Sequence, residues 1–190
     1  MNEFVFVSGR LSLDLAGTKL WRRSSRTELL NSTDDLRRWV DQAQLVDDLG
    51  PVDARGVERV RRLREALYKI VVSWPLDGHA DAEVREALAE VNDAARLPLP
   101  KHQIDEYGRL TRAGGIDEVL GAVARDTVDL VSSPQLGRMK ECANPDCTRL
   151  FVDSSHSGAR RWCGMAECGN RQKAARHRKR NRQASVEPTS

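Results

Sequence analysis

All four cysteines of this 190-residue chain fall within 27 residues, at Cys142, Cys147, Cys163 and Cys168. They form two C-x4-C pairs separated by fifteen residues. The opening run Met1-Asn2-Glu3-Phe4-Val5-Phe6-Val7 is too short and too poor in flanking basic residues for a secretory leader, so the expected address is the reducing cytoplasm. There, closely spaced cysteines point to metal ligation rather than disulfides. Zinc is the expected ion, because four soft thiolates close a tetrahedral shell around a metal with no redox chemistry of its own. An iron–sulfur cluster also takes four thiolates, although its usual C-x2-C runs are absent, and redox-active or merely buried thiols are the remaining readings. A closed shell leaves no position for water or substrate, so one structural Zn2+ is expected. Its formal charge of −2 calls for nearby cations, and Arg149, Arg160, Arg161 and Arg171 lie close in sequence.

Charge follows the cysteines. Of the net +3, the segment 160–182 alone carries +8: nine cations (Arg160, Arg161, Arg171, Lys173, Arg176, Arg178, Lys179, Arg180 and Arg182) against Glu167. The rest of the chain therefore carries −5. An acidic body with a basic appendage fits a polyanion as partner. From Asn170 to Arg182 the composition favours a helix, with no Pro, no Gly and no acid, and Ala174 and Ala175 as its small apolar patch. Self-repulsion along such a helix is relieved by phosphates, and single arginines can read guanine edges. His177 is a further candidate for a phosphate or base contact. The bland alternative is a solvated charge run that binds anions without specificity.

The body reads as mostly helical. Leu36, Trp39, Val40 and Ala43 follow the N-cap candidates Ser32-Thr33-Asp34-Asp35, and Gly50-Pro51 stops that helix. Asp53 precedes the longest apolar stripe, Val57, Val60, Leu63, Leu67, Ile70, Val71 and Trp74, which Pro75 ends. Shorter stripes run over 81–95 and 116–131, the latter broken by Ser132-Ser133-Pro134. Phe4–Val7 and the alternating Leu11–Leu15 flank Ser8-Gly9-Arg10 and predict a short β-hairpin. Residues 20–31 predict a loop, and 100–115 show only a weak pattern. The expected fold is mainly α (α+β): a helical domain over 1–134 with a short hairpin, a small zinc unit over 138–182 ending in the basic helix, and a disordered tail over 183–190. The two units are expected to share few core residues, so that Cys163→Ser should disorder the zinc unit and leave the body folded.

No stretch approaches the roughly 20 apolar residues that cross a bilayer. With four histidines, no glycine-rich phosphate loop and no nucleophile–base set, no enzymatic activity is expected. His156 reads as a loop residue rather than a ligand. Trp162 suits base stacking or, better, packing with Phe151 over the metal loop. Asp14, Thr18, Arg22 and Arg26, with Arg23 beside them, form a candidate small-ligand pocket, against which stands ordinary ion pairing.

Arg160-Arg161-Trp162-Cys163, Cys168-Gly169-Asn170-Arg171, Lys173 and Arg176-His177-Arg178, with Cys142-Ala-Asn-Pro-Asp-Cys147 and Leu150-Phe-Val-Asp153 upstream, closely resemble the CGNR zinc finger family over residues 138–182. The resemblance implies a bacterial zinc finger with a DNA-binding role, its ligands falling on Cys142, Cys147, Cys163 and Cys168. The body is similar to the ABATE domain, described as a stress-induced transcriptional regulator, through Gly9, Leu13-Asp14, Thr18, Leu29-Leu30 and the helix from Asp35-Leu36 to Trp39. Where that family reads L-D-x-x-N-T, this chain has Gly17 in place of Asn. Together these features predict a zinc-dependent, DNA-binding transcription regulator, responsive to stress or to a small-molecule effector through its body, with a homodimer as a further expectation. An RNA-binding protein and a zinc module for an acidic protein partner are the alternatives.

Overall fold

The computed structural model describes residues 4–74 and 80–170. The expected basic helix, including Arg171, Lys173, Arg176, His177, Arg178, Lys179, Arg180 and Arg182, lies outside the described residues, as does the tail.

The fold is mainly α. Helices α1 (Leu11–Ala16), α2 (Thr33–Gln42), α3 (Ala54–Ser73), α4 (Ala82–Ala95) and α5 (Ile116–Ser132) build the body. Their starts follow local chemistry. Ser32 and Asp35 form a reciprocal capping box on α2, and the Asp53 and Asp81 carboxylates accept the Gly56 and Val84 N–H groups at the heads of α3 and α4. The α3 stripe is buried from Val57 to Val71, with Trp74 half-buried just past the helix, and packs mainly against α4, which in turn packs on α5. Trp39, Leu36, Leu63, Leu67, Val119 and Val123 lie at the centre of this core.

The hairpin expected over 4–15 does not form. Leu11–Ala16 is a single helix turn and a half, because its alternating residues are buried in two directions: Leu15 and Ala16 enter the main core, while Leu13 faces away into a second cluster. Its first turn is capped from a distance, with Asp126 of α5 accepting the Ser12 N–H at 2.8 Å and the Ser12 hydroxyl at 2.5 Å. Residues 4–8 form no strand, and the bond there comes from β6, where the Val152 N–H donates to the Ser8 carbonyl at 2.8 Å.

The expected loop over 20–31 contains a short antiparallel pair, β1 (Lys19–Leu20) with β2 (Thr27–Glu28). The weakly patterned stretch after Pro100 forms a four-residue-per-strand hairpin, β3 (Lys101–Ile104) with β4 (Leu110–Ala113), exposed along nearly its whole length. A 3-10 turn at Pro134–Arg138 leads from α5 into β5 (Met139–Glu141), which pairs with β6 (Leu150–Val152).

The sharing of few core residues is also overturned. Leu150 and Val152 of the β5–β6 unit bury against Leu13, Val71 and Leu130 of the body in one cluster. Ser8, the β5–β6 hairpin and the helical core are thus packed together.

Candidate metal centre and nucleic-acid interface

The β5–β6 hairpin presents Cys142 just after one strand and Cys147 before the other, and the loop that follows brings back Cys163 and Cys168. One sulfur from each lies within 4.8 Å of the other three, and all four residues are buried. The Cys147 and Cys163 sulfurs are 3.9 Å apart. A tetrahedral site with Zn–S bonds of about 2.3 Å requires sulfurs about 3.8 Å apart, so the donor set fits the ion that the cysteine spacing predicts. Backbone bonds hold this arrangement: Cys142 N–H to Arg149 O, Ala143 N–H to Arg161 O and Cys147 N–H to Asn144 O. Cys168 lies in a single π-type turn, Met165–Gly169.

Two donors point at sulfur, the Cys163 N–H toward Cys142 and the Asn144 amide toward Cys168, each at 3.5 Å. The thiols perturb one another. The hydrogen bond from Cys163 holds Cys147 down to about 5, and sharing that proton, together with burial, pushes Cys163 far up. Burial also raises Cys168, to about 11. A divalent ion at the centre would offset the charge of the coordinating thiolates.

Phe151 is fully buried in one cluster with the cysteines, and Trp162 and Trp21 pack against that cluster, so Trp162 takes its packing role. Trp21 comes from the body. It sits with φ +52°, in the left-handed region, at the start of the β1–β2 connection. Arg22 next to it donates its N–H to the Thr148 hydroxyl at 3.1 Å, and Arg23 pairs with Glu141.

Arg160 was expected at a phosphate; it is instead turned inward. Its guanidinium lies 4.3 Å over the Phe151 ring and donates to the carbonyls of Trp162, Cys163 and, at 2.8 Å, Val7. Arg149 likewise donates to Val5 O at 3.1 Å. Two of the four cations expected to offset the site's charge, Arg149 and Arg160, thus tie it to residues 4–8. Arg161 remains exposed, its guanidinium 5.4 Å over Trp162.

Asp153, missed as a functional position, organises the loop between the cysteine pairs. Buried in the finger, its carboxylate accepts from Lys140 at 2.7 Å, the Ser155 N–H and hydroxyl, and the Arg160 N–H, and these donors, Lys140 foremost, hold it well below the usual carboxylate range. His156 lies in the exposed turn of that loop.

The candidate pocket residues are engaged with the protein itself. Asp14 accepts the Ser8 N–H at 3.0 Å, and burial raises its pKa despite that bond. Thr18 donates to Leu15 O and accepts from Arg64. Arg22 pairs with Glu65 at 2.6 Å and lies 3.9 Å over Tyr68, and Arg26 donates to Arg22 O. At the centre is Arg64, only 1% exposed, bidentate to Glu28 at 2.6 Å in both arms and bonded to Glu65 at 2.8 Å. Sequence reasoning missed this arginine, although it stands at a core-facing place in the α3 stripe. A cleft of about 650 Å3 lies elsewhere, lined by Arg37, Val52, Arg55, Arg59 and Ile116 among others.

Among the described residues, no helix is long and apolar enough to cross a membrane. No curated protein matches the chain. Residues 138–181 match the CGNR zinc finger family. Residues 9–134 match the family ABATE, described as "Putative stress-induced transcription regulator". A match over more than half of its length places this chain in the ABATE family, with a CGNR zinc finger at its C-terminal end.

Proposed function

We propose that the chain is a DNA-binding transcription regulator whose finger is ordered by one structural zinc ion. The carrying observation is the juxtaposition of four buried sulfurs, spaced for tetrahedral ligation, with a segment of eight net positive charges that spans the last two of them. Cys142, Cys147, Cys163 and Cys168 would hold the ion, which supplies cross-linking and charge compensation and no open coordination position. The chain's own residues then fix where the basic segment departs: Phe151, Trp21 and Trp162 pack the cluster, and the turn at Met165–Gly169 sets the exit after Cys168. Arg171, Lys173, Arg176, His177, Arg178, Lys179, Arg180 and Arg182, together with exposed Arg161, would meet phosphates, which position the finger and dominate its affinity. The role is binding rather than catalysis.

The body would carry regulation, and its tight packing on the finger is the route by which an effector or a stress could alter DNA affinity. Competition by duplex RNA against a labelled DNA duplex, with zinc-loaded and chelator-treated protein, tests the reading. Preferential retention of DNA, lost on chelation, is the expected result. Preference for RNA, or binding indifferent to zinc, would overturn it.

A further inference from the structure

The β3–β4 hairpin has one covered edge and one open edge. On the β4 side, Asp47 accepts the Arg112 N–H at 2.7 Å and donates its own N–H to Arg112 O at 2.9 Å, and Asp48 bridges to Ala113. On the β3 side, no strand pairs with the edge among the described residues. Both faces are exposed, and the hairpin with its approach carries four of the eight exposed large hydrophobics among the described residues: Leu99, Ile104, Tyr107 and Leu110. Two isolated strands are marginal in water, and an open edge invites another strand.

The phase of the open edge is fixed. Asp105 donates its N–H inward to Arg109 O at 3.1 Å, so Lys101, Gln103 and Asp105 spend their backbone groups on β4. Arg112 faces Asp47 with its backbone groups, so its ladder partner His102 faces outward, and Ile104 does the same. An antiparallel partner strand must therefore bond to His102 and Ile104.

We propose that this edge pairs with the same edge of a second copy of the chain, His102 opposite Ile104 about a two-fold axis at Gln103. That register sets Lys101 opposite Asp105 of the second copy, twice, in the closely spaced non-hydrogen-bonded position where opposite charges stabilise a sheet. The Asp105 carboxylate accepts three bonds within its own chain, from Tyr107 N–H, Arg109 N–H and the Arg109 side chain, and a carboxylate has about four acceptor sites, so one is left for lysine. The same register brings Leu99 of each copy toward Tyr107 of the other, and places the two Ile104 side chains diagonally on one face. Charge, apolar surface and hydrogen-bond phase all agree on one alignment. The result is a four-stranded sheet across the two-fold axis, a small interface belonging with concentration-dependent dimers. The inference rests on the hairpin alone and not on the nucleic-acid reading.

Sedimentation of the zinc-loaded full chain tests it, beside two variants. Ile104→Pro removes an outward N–H that no bond within the hairpin uses, a place where edge strands tolerate proline. Lys101→Glu sets two carboxylates against each other and leaves the hairpin's own bonds intact. The expected result is a species of twice the 21.3 kDa chain mass forming with concentration, and its loss in both variants. In hydrogen exchange, the His102 and Ile104 amides should slow as concentration rises, while the Asp105 amide, already bonded, does not change. A 21.3 kDa species at every concentration, or a dimer that survives both substitutions, would overturn the proposal.

Discussion

A Cβ at position 17 would sit 2.6 Å from a guanidinium nitrogen of Arg149, which is itself buried and bonded to Val5 O. Glycine here makes room for the finger's arginine. Gly17→Ala should therefore cost about 1–2 kcal/mol, the scale of displacing a buried hydrogen bond, and the cost should largely vanish in an Arg149→Met background. Urea unfolding of the four chains would check this, and an equal cost in both backgrounds would contradict it. Arg64 offers a larger effect. Replacing it with Met removes the cation shared by the partly exposed Glu28 and Glu65, a loss of about 2–3 kcal/mol on the scale of hydrogen bonds to charged groups. The same network gives a pH signature. Burial opposes the ionisation of Glu28, yet the Arg64 hydrogen bonds outweigh it and set its pKa below the ordinary 4.5. A depressed carboxylate contributes stability fully present above its unfolded pKa and lost as pH falls toward the folded one. Thermal stability should thus hold from neutral pH down to about 5 and fall below that, and Glu28→Gln should flatten the decline.

Elements whose signals are local were legible in sequence. The α3 stripe, its Asp53 cap and the Ser32–Asp35 box place two helices without any tertiary knowledge. The short α1 was not, because its cap is Asp126, 114 residues away, and its alternating apolar residues mimic a strand while facing two clusters. The β3–β4 hairpin escaped for the opposite reason: exposed on both faces, it has no buried side to impose a period on the sequence. In the metal centre the cysteines were legible from spacing, whereas Arg160 read as a surface cation although its guanidinium is committed to Phe151 and three carbonyls. Strand β6 carries the clearest packing prediction at this scale. Leu150 lies in the cluster shared with Leu13, Val71 and Leu130, so Leu150→Ala should cost about 2–5 kcal/mol and loosen body and finger together. Amide exchange that rose in the finger alone would argue against a shared cluster.

For the whole molecule, the finger and the body are continuous through residues 4–23. Ser8, Val5 and Val7 accept bonds from Val152, Arg149 and Arg160, and Trp21 lies on the cysteine cluster. Removing metal should therefore lower the melting temperature of the body, followed through the buried Trp39, and not only that of the finger. Two separate transitions, the body's unmoved by chelator, would contradict this coupling. In the proposed regulator the coupling turns a change in the body into a change in the direction of the basic segment. The most direct measurement is the salt dependence of affinity for duplex DNA, zinc-loaded wild type beside the Arg176, Arg178 and Arg180→Gln triple variant. Each lost phosphate contact reduces the slope by about 0.9, so the variant should be shallower by about 3 while still holding zinc. Equal slopes, or no binding at low salt, would contradict a finger built to contact DNA.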